Sequence, residues 1–181
     1  MIPSANHDGV FKVIGKEGRF TVAQVPSDVT PVGLGRLNAH GVDLNRNFDC
    51  NWKSSAKWQS KTVSGGSAVF SEPESQAIKA YVEGSYPVAV VAWYSSAGGV
   101  YSSSCNSGVS AETKTITNLF ADASGYPAYQ SFDVYETTGD MVNWMAKKNI
   151  PAISVLLTNH TDTEWTKNQK GIESLLKYYS K

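Results

Sequence analysis

Two stretches of the chain are almost unbroken in apolar character: residues 88–95 (VAVVAWYS) and 151–157 (PAISVLL). Each is of strand length and rich in β-branched residues, the pattern of a strand buried on both faces of a sheet. Around them the apolar spacing is helical. One helix opens after Ser71, with Glu72 and Pro73 in its first turn and Ala77, Ile78, Ala80, Tyr81 and Val82 on its apolar face, and ends at Gly84. A second runs from a Ser110 cap to Ala123 and is stopped by Gly125 and Pro127; a third covers residues 140–148. The last covers residues 162–179, with Trp165, Ile172, Leu175 and Leu176 on one face. Near the start, residues 10–14 and 19–25 read as half-buried strands joined by a Gly-containing turn. Residues 26–35 form a Pro/Gly-punctuated loop, and the polar, Ser/Gly/Lys-rich residues 54–68 lie on the surface. Helices alternating with two-sided buried strands predict an α/β fold, a mixed, mostly parallel sheet with helices on both faces. Ligands in such folds gather at the carboxyl ends of the strands, here residues 93–96 and 156–159.

Composition narrows the function classes. The 181 residues are one domain's worth, and 41% apolar content marks an ordinary folded chain. Sixteen basic residues balance sixteen acidic ones, with none of the basic excess of a nucleic-acid binder. No apolar run approaches the roughly 20 residues of a membrane-spanning helix, and Met1-Ile2-Pro3 is followed by no charged and apolar leader pattern, so a signal peptide is expected to be either absent or already removed. Cys50 and Cys105 sit in polar, aromatic-flanked segments (FDCNW and SSSCNSG) with no second Cys or His nearby to build a metal cluster. A disulfide between them is the reading preferred over two free thiols, and it points to an extracellular or secreted protein. The Asn159-His160-Thr161 sequon adds little by itself. Oligomeric state is not readable from the sequence.

The most informative stretch is RLNAHGVDLNRNF, residues 36–48. Its Arg nine residues before an Asn-Arg pair is similar to the signature of the zinc metallocarboxypeptidases, the pancreatic carboxypeptidase type. Five further segments resemble that family in the same order. IPSANHDGVF resembles its IP-x-x-NPDG segment, with His7 in place of Pro, and FSEPESQAI the helix start that follows. YETTGDMVNW resembles its mobile-tyrosine segment, IPAISVLL the strand ending in the catalytic glutamate, and TEWTKNQKGIESLLKYY the closing helix. Six collinear matches carry far more weight than one. The resemblance implies a truncated carboxypeptidase-like (phosphorylase/hydrolase-like) domain corresponding to the C-terminal part of the catalytic domain. It also implies roles. Arg46 and Asn45 would grip a substrate's free α-carboxylate, because a guanidinium fork matches a planar carboxylate bidentately. Arg36 would polarise the scissile carbonyl and stabilise its oxyanion, and Tyr135 would close over the substrate and donate its hydroxyl. Without the motif, Arg46 and Asp43 would read as a structural ion pair.

The chemistry itself is missing. Intact family members hold zinc through His-x-x-Glu and a later His, with a Glu base acting on the metal-bound water. No His-x-x-Glu occurs: three residues after His7, His40 and His160 stand Val10, Asp43 and Thr163. Tyr94 occupies the place of the later His, or Ser95 if the register shifts by one, and neither is an ordinary zinc ligand. Leu156 stands at the general-base position, followed by Leu157. His40-x-x-Asp43 and His160-x-Asp162 each supply two ligands, too few for a site. No Gly-x-Ser-x-Gly elbow supports a serine hydrolase. The expectation is therefore a catalytically inactive carboxypeptidase-like domain without a cofactor, either a pseudopeptidase or a trimmed, disarmed scaffold. Its retained motif would take peptide or cell-wall-peptide C-termini, and Val142, where the family's specificity pocket has its floor, hints at an apolar preference. The alternatives are a C-terminus binding module, a purely structural domain, and an active metallocarboxypeptidase whose ligands come from outside this chain.

Overall fold

The structure, a computed structural model, describes residues 1–26 and 33–181. Residues 27–32, most of the expected Pro/Gly-punctuated loop, lie outside the described residues. The chain divides into two compact units, one formed by Met1–Ser85 with Thr137–Asp140 and the other by Tyr86–Glu136 with Met141–Lys181.

The first unit opens with a helix, α1 (His7–Ile14), where the apolar spacing had suggested a strand. Local capping decides the matter. Asn6 accepts the Gly9 amide, Asp8 adds negative charge to the first turn, and Gly15 closes the helix at φ 75°. The expected second strand holds only a short 3₁₀ turn, Val22–Gln24. A hairpin appears in the segment expected to be mere surface: β1 (Ser55–Trp58) pairs antiparallel with β2 (Lys61–Ser64), and Ala56 is buried. Its two-residue turn, Gln59-Ser60, places Gln59 at φ 54°, and this pair lacks the Asn-Gly chemistry that announces such turns in sequence. Helix α2 (Pro73–Ser85) follows as expected but buries only Ser75, Ile78 and Val82; Tyr81 is exposed.

The second unit is a four-stranded mixed sheet. It comprises β3 (Val90–Ser95), β4 (Gly99–Ser102), the two-residue β5 (Ala128–Tyr129) and β6 (Ala152–Leu157), in the order β3-β6-β4-β5. β6 runs parallel to β3 and antiparallel to β4, and β4 runs parallel to β5. Helix α3 (Ala111–Ser124) starts at Ser110, whose hydroxyl accepts the Thr113 amide, and stops at Gly125 in the left-handed region, both as expected. α4 (Met141–Lys147) and α5 (Trp165–Tyr179) complete the unit. Val100, Ile116, Phe120, Ile153, Val155 and Leu175 form the core between the sheet and helices α3 and α5, each fully buried side chain worth about 1.5–3 kcal/mol. Val142, Trp144 and Met145 of α4 are also buried.

Three expectations about burial change. β6 is buried through Val155, but Leu156 and Leu157 are only half-buried at its end. β3, the end strand of this sheet among the described residues, is not buried on both faces: Trp93 is exposed and only Ala92 is fully covered. α5 likewise leaves Trp165 and Leu176 in solvent while Leu175 enters the core. It begins later than the sequence suggested because the chain turns through a left-handed Glu164 (φ 48°) first. Among the described residues no helix is long and apolar enough to cross a membrane.

Candidate functional site

In the first unit, the Asn-His-Asp-Gly segment holds the loop that carries Arg36. Asn6 Nδ2 donates to Gly35 O (2.9 Å) and Arg36 O (3.0 Å), and the Ala39 amide donates to Asp8 Oδ2 (2.9 Å). Gly9 must be glycine, since a Cβ there would run into Gly35 O. Arg36 Nε then donates to Asp43 Oδ2 at 2.7 Å, and its guanidinium lies 4.7 Å over the Trp58 ring. The arginine paired with Asp43 is thus Arg36, not Arg46.

Asn45 and Arg46 lie in one short 3₁₀ turn, Leu44–Arg46, which Asp43 caps through the Asn45 amide and Asn47 closes as its C-cap. Asn45 Nδ2 donates to Asp140 Oδ2 at 2.7 Å. Arg46 is 1% exposed; its Nε donates to Lys57 O (2.9 Å) and one terminal nitrogen to Asn45 O (2.6 Å). Asn47 is completely buried. It donates to Gly65 O and Ala68 O and accepts from the Ser75 hydroxyl and the Glu72 amide, which fixes the start of α2. The segment that ends in Gly139-Asp140 braces the turn from outside: Phe48 N donates to Gly139 O and Gly139 N to Cys50 O. Gly139, at φ 63°, leaves no room for a Cβ against Arg46 O.

Beside this lies a polar cluster that the sequence reading missed. Glu72, nearly buried, accepts from Asn38 (2.8 Å), from the Ser71 hydroxyl (2.7 Å) and, 2.7 Å away, from His40 Nδ1. Burial pushes the Glu72 carboxyl up, but those three donors outweigh it and hold it below the usual carboxylate range. The bond to Glu72 raises the His40 imidazole above its ordinary value. Asn38 and His40 lie inside the RLNAHG stretch, yet nothing in their spacing announces a partner 34 or 32 positions away.

In the second unit, Tyr94 and Leu156 are Cα partners in the β3–β6 register, side by side at the carboxyl ends of two parallel strands. Ser95 follows, 3.0 Å from His160 Nδ1, while Ser96 lies 3.3 Å from His160 Nε2. Tyr135 is half-buried, its ring edge-on to Phe132 at 5.0 Å; Phe132 meets Tyr101, which stacks on Tyr129 at 4.8 Å. Among the described residues no group of three or more His, Cys, Asp or Glu could hold a metal ion. A tyrosine, a serine and a leucine do not constitute a zinc donor set. Cys50 and Cys105 are disulfide-bonded, as the sequence suggested.

The mixed sheet with its helices defines an α/β protein. The zinc carboxypeptidase family profile matches residues 1–175, and the chain belongs to that family. Solved structures agree in fold. Murein-tripeptide amidase MpaA from Escherichia coli O157 is 21% identical, with a TM-score of 0.65, over 96% of this chain and 64% of that one. Carboxypeptidase A from Helicoverpa armigera is 20% identical, with a TM-score of 0.68, over 97% of this chain and 50% of that one. The chain therefore spans about two-thirds or less of the length of these structures. No curated protein matches the sequence.

Proposed function

We propose that this chain is a carboxypeptidase-like domain that does not hydrolyse peptides and keeps a motif for recognising a C-terminal carboxylate. One observation carries the first half: the adjacent positions at the ends of β3 and β6, where the family places a zinc ligand and its base, are Tyr94 and Leu156. Leucine moves no proton, and neutral tyrosine is a poor zinc ligand. The second half rests on the RLNAHGVDLNRNF stretch and on how its cations are held. Backbone carbonyls fix the Arg46 guanidinium, and Asp43 and Trp58 fix that of Arg36. A preset guanidinium needs little reorganisation to meet a planar carboxylate. Arg36, with a side chain 22% exposed, is the more reachable of the two. Asn45 adds an amide donor, and Tyr135 takes the family's role of closing over the ligand.

The ligand class is a peptide or cell-wall-peptide C-terminus, a reading supported by similarity to a murein-tripeptide amidase and to a carboxypeptidase. The disulfide supports an extracellular location. A second reading, an active metallocarboxypeptidase whose remaining ligands lie outside these residues, is favoured by the chain covering only 64% and 50% of those two structures.

Calorimetry with a peptide as free acid and as C-terminal amide tests the recognition. One charge-assisted contact is worth roughly 1.5–3 kcal/mol, so binding of the acid should be high micromolar or weaker. Arg36→Met, which keeps the contact with Trp58, should weaken the acid and leave the amide unchanged. Equal binding of acid and amide would reduce the motif to a packing element.

A further inference from the structure

We propose that Asn159 is an N-glycosylation site, so that the loop between β6 and α5 carries an oligosaccharide at the carboxyl edge of the second unit's sheet. The sequence supplies the acceptor triplet Asn-x-Thr, the only Asn-x-Ser/Thr triplet in the chain, with His160 in the middle position that proline alone would spoil. A triplet by itself says little, because it can lie inside a regular element or beneath other side chains, where a bulky sugar has no room. Its placement and its hydrogen bonds decide the matter.

β6 ends at Leu157 and α5 begins at Trp165. Between them Asn159, His160 and Thr161 are all exposed, so the triplet lies on an irregular surface loop, the kind of segment that carries such a modification. The carboxamide is also fixed in a definite orientation. Asn159 Oδ1 accepts the Thr161 amide (2.8 Å), the Thr161 hydroxyl (3.0 Å) and the Asp162 amide (2.8 Å). Three donors on one atom identify it as the carboxamide oxygen and the other as the nitrogen. Among the described residues Nδ2 touches only the Thr158 hydroxyl, at 3.5 Å the outer limit of a hydrogen bond. The acceptor nitrogen is therefore available while its oxygen is held.

The threonine hydroxyl has a chemical part in this arrangement. By donating to the amide oxygen it draws electron density from the carboxamide, and Nδ2 gives up a proton more readily. In the transfer, Nδ2 bonds to the anomeric carbon of an oligosaccharide carried on a lipid diphosphate. The bond from that carbon to the diphosphate oxygen breaks, the lipid diphosphate leaves with the electron pair, and the Nδ2 proton passes to a base of the transferase. The glycan would stand beside the positions where the family's chemistry is lost. His160 Nδ1 lies 3.0 Å from Ser95 Oγ, and Ser95 follows Tyr94, the register partner of Leu156. The inference rests on the extracellular location proposed above, because this modification belongs to exported chains.

Peptide mapping by mass spectrometry, on protein isolated from its own host and recovered separately from the cell exterior and the cytosol, tests this. The exterior protein should carry a hexose- and N-acetylhexosamine-containing mass increment on the peptide spanning Asn159. Asn159→Gln and Thr161→Ala should each abolish that increment, and Thr161→Ser, which keeps the hydroxyl, should retain it. If Asn159→Gln does not fold, as a melting curve will show, the wild-type map and the two Thr161 variants carry the comparison. Exterior protein with an unmodified Asn159 overturns the inference and leaves the location standing; protein confined to the cytosol overturns both. An increment that survives Thr161→Ala also overturns it, since the hydroxyl would then play no part.

Discussion

Glu164→Gln is expected to destabilise the protein at neutral pH and not in acid. Glu164 sits just before α5, and its carboxylate gathers three segments of the second unit. Oε2 accepts the Thr158 amide at 2.7 Å and the Tyr126 hydroxyl at 2.8 Å, and Oε1 accepts from Lys167 at 2.8 Å. Burial alone would push this carboxyl up. The donors outweigh it and hold the group at about 2, against an ordinary 4.5. That gap corresponds to about 3 kcal/mol of stability at neutral pH as an upper figure. Lys167 is the largest of the lowering contributions, and because its amine is 44% accessible, solvent screening reduces that share. Glutamine keeps the shape but presents one acceptor instead of two and no charge, so about 2 kcal/mol should be lost at pH 7. For a chain of this size that lowers Tm by about 4–8 °C. The sign follows from the direction of the shift. A carboxyl held low in the folded state stabilises above its unfolded value of 4.5, and that stability disappears as pH falls from there toward about 2. Urea unfolding at neutral pH and again near pH 2 should therefore show the gap between wild type and variant closing. A gap of equal size at both pH values, or no gap at neutral pH, would refute the charge-based account.

The Glu72 cluster makes a titration prediction in the other unit. His40 is raised chiefly by its bond to Glu72, so its contribution to stability is complete below 6.5 and is lost as pH rises through the folded value above it. By NMR, Glu72→Gln should bring the His40 titration down toward 6.5; an unmoved titration would contradict the pairing. The bond between Cys50 and Cys105 closes a loop of about 55 residues, worth about 4 kcal/mol in the chain-entropy view. Thiol titration in denaturant without reductant should find no free thiol, and two would reject the bond.

The parts legible in the sequence were those whose signals are local. Ser110 and Gly125 announce α3, the apolar run of 151–157 announces β6, and the two cysteines announce their bond. The failures share a cause. α1 replaces the expected strand because the Asn6 cap outweighs β-branched residues within the segment, and the β1–β2 hairpin escapes sequence patterning because Gln59-Ser60 is a weak turn signal. β3 reads as fully buried because an apolar run does not say which of its faces are covered. For the candidate site residues, the family motif named Arg36, Asn45 and Arg46. It could not reveal that Arg36 takes Asp43, that Asn45 takes Asp140 or that Glu72 holds Asn38 and His40, because these bonds join residues that no periodicity relates.

The claim that this chain has lost the family's hydrolytic chemistry is tested most directly by giving back the two substituted positions. A carboxypeptidase assay on the purified wild type and on the Tyr94→His, Leu156→Glu double variant, each with added zinc, measures it. One restored histidine supplies one protein ligand where catalytic zinc sites of this class take three, and a base without metal faces water of pKa about 15.7 rather than about 7. The account predicts no zinc-dependent release of C-terminal residues from either protein. Zinc-dependent turnover by the double variant above the wild-type background would show that the remaining ligands reside in these 181 residues, and turnover by the wild type itself would contradict the central claim outright.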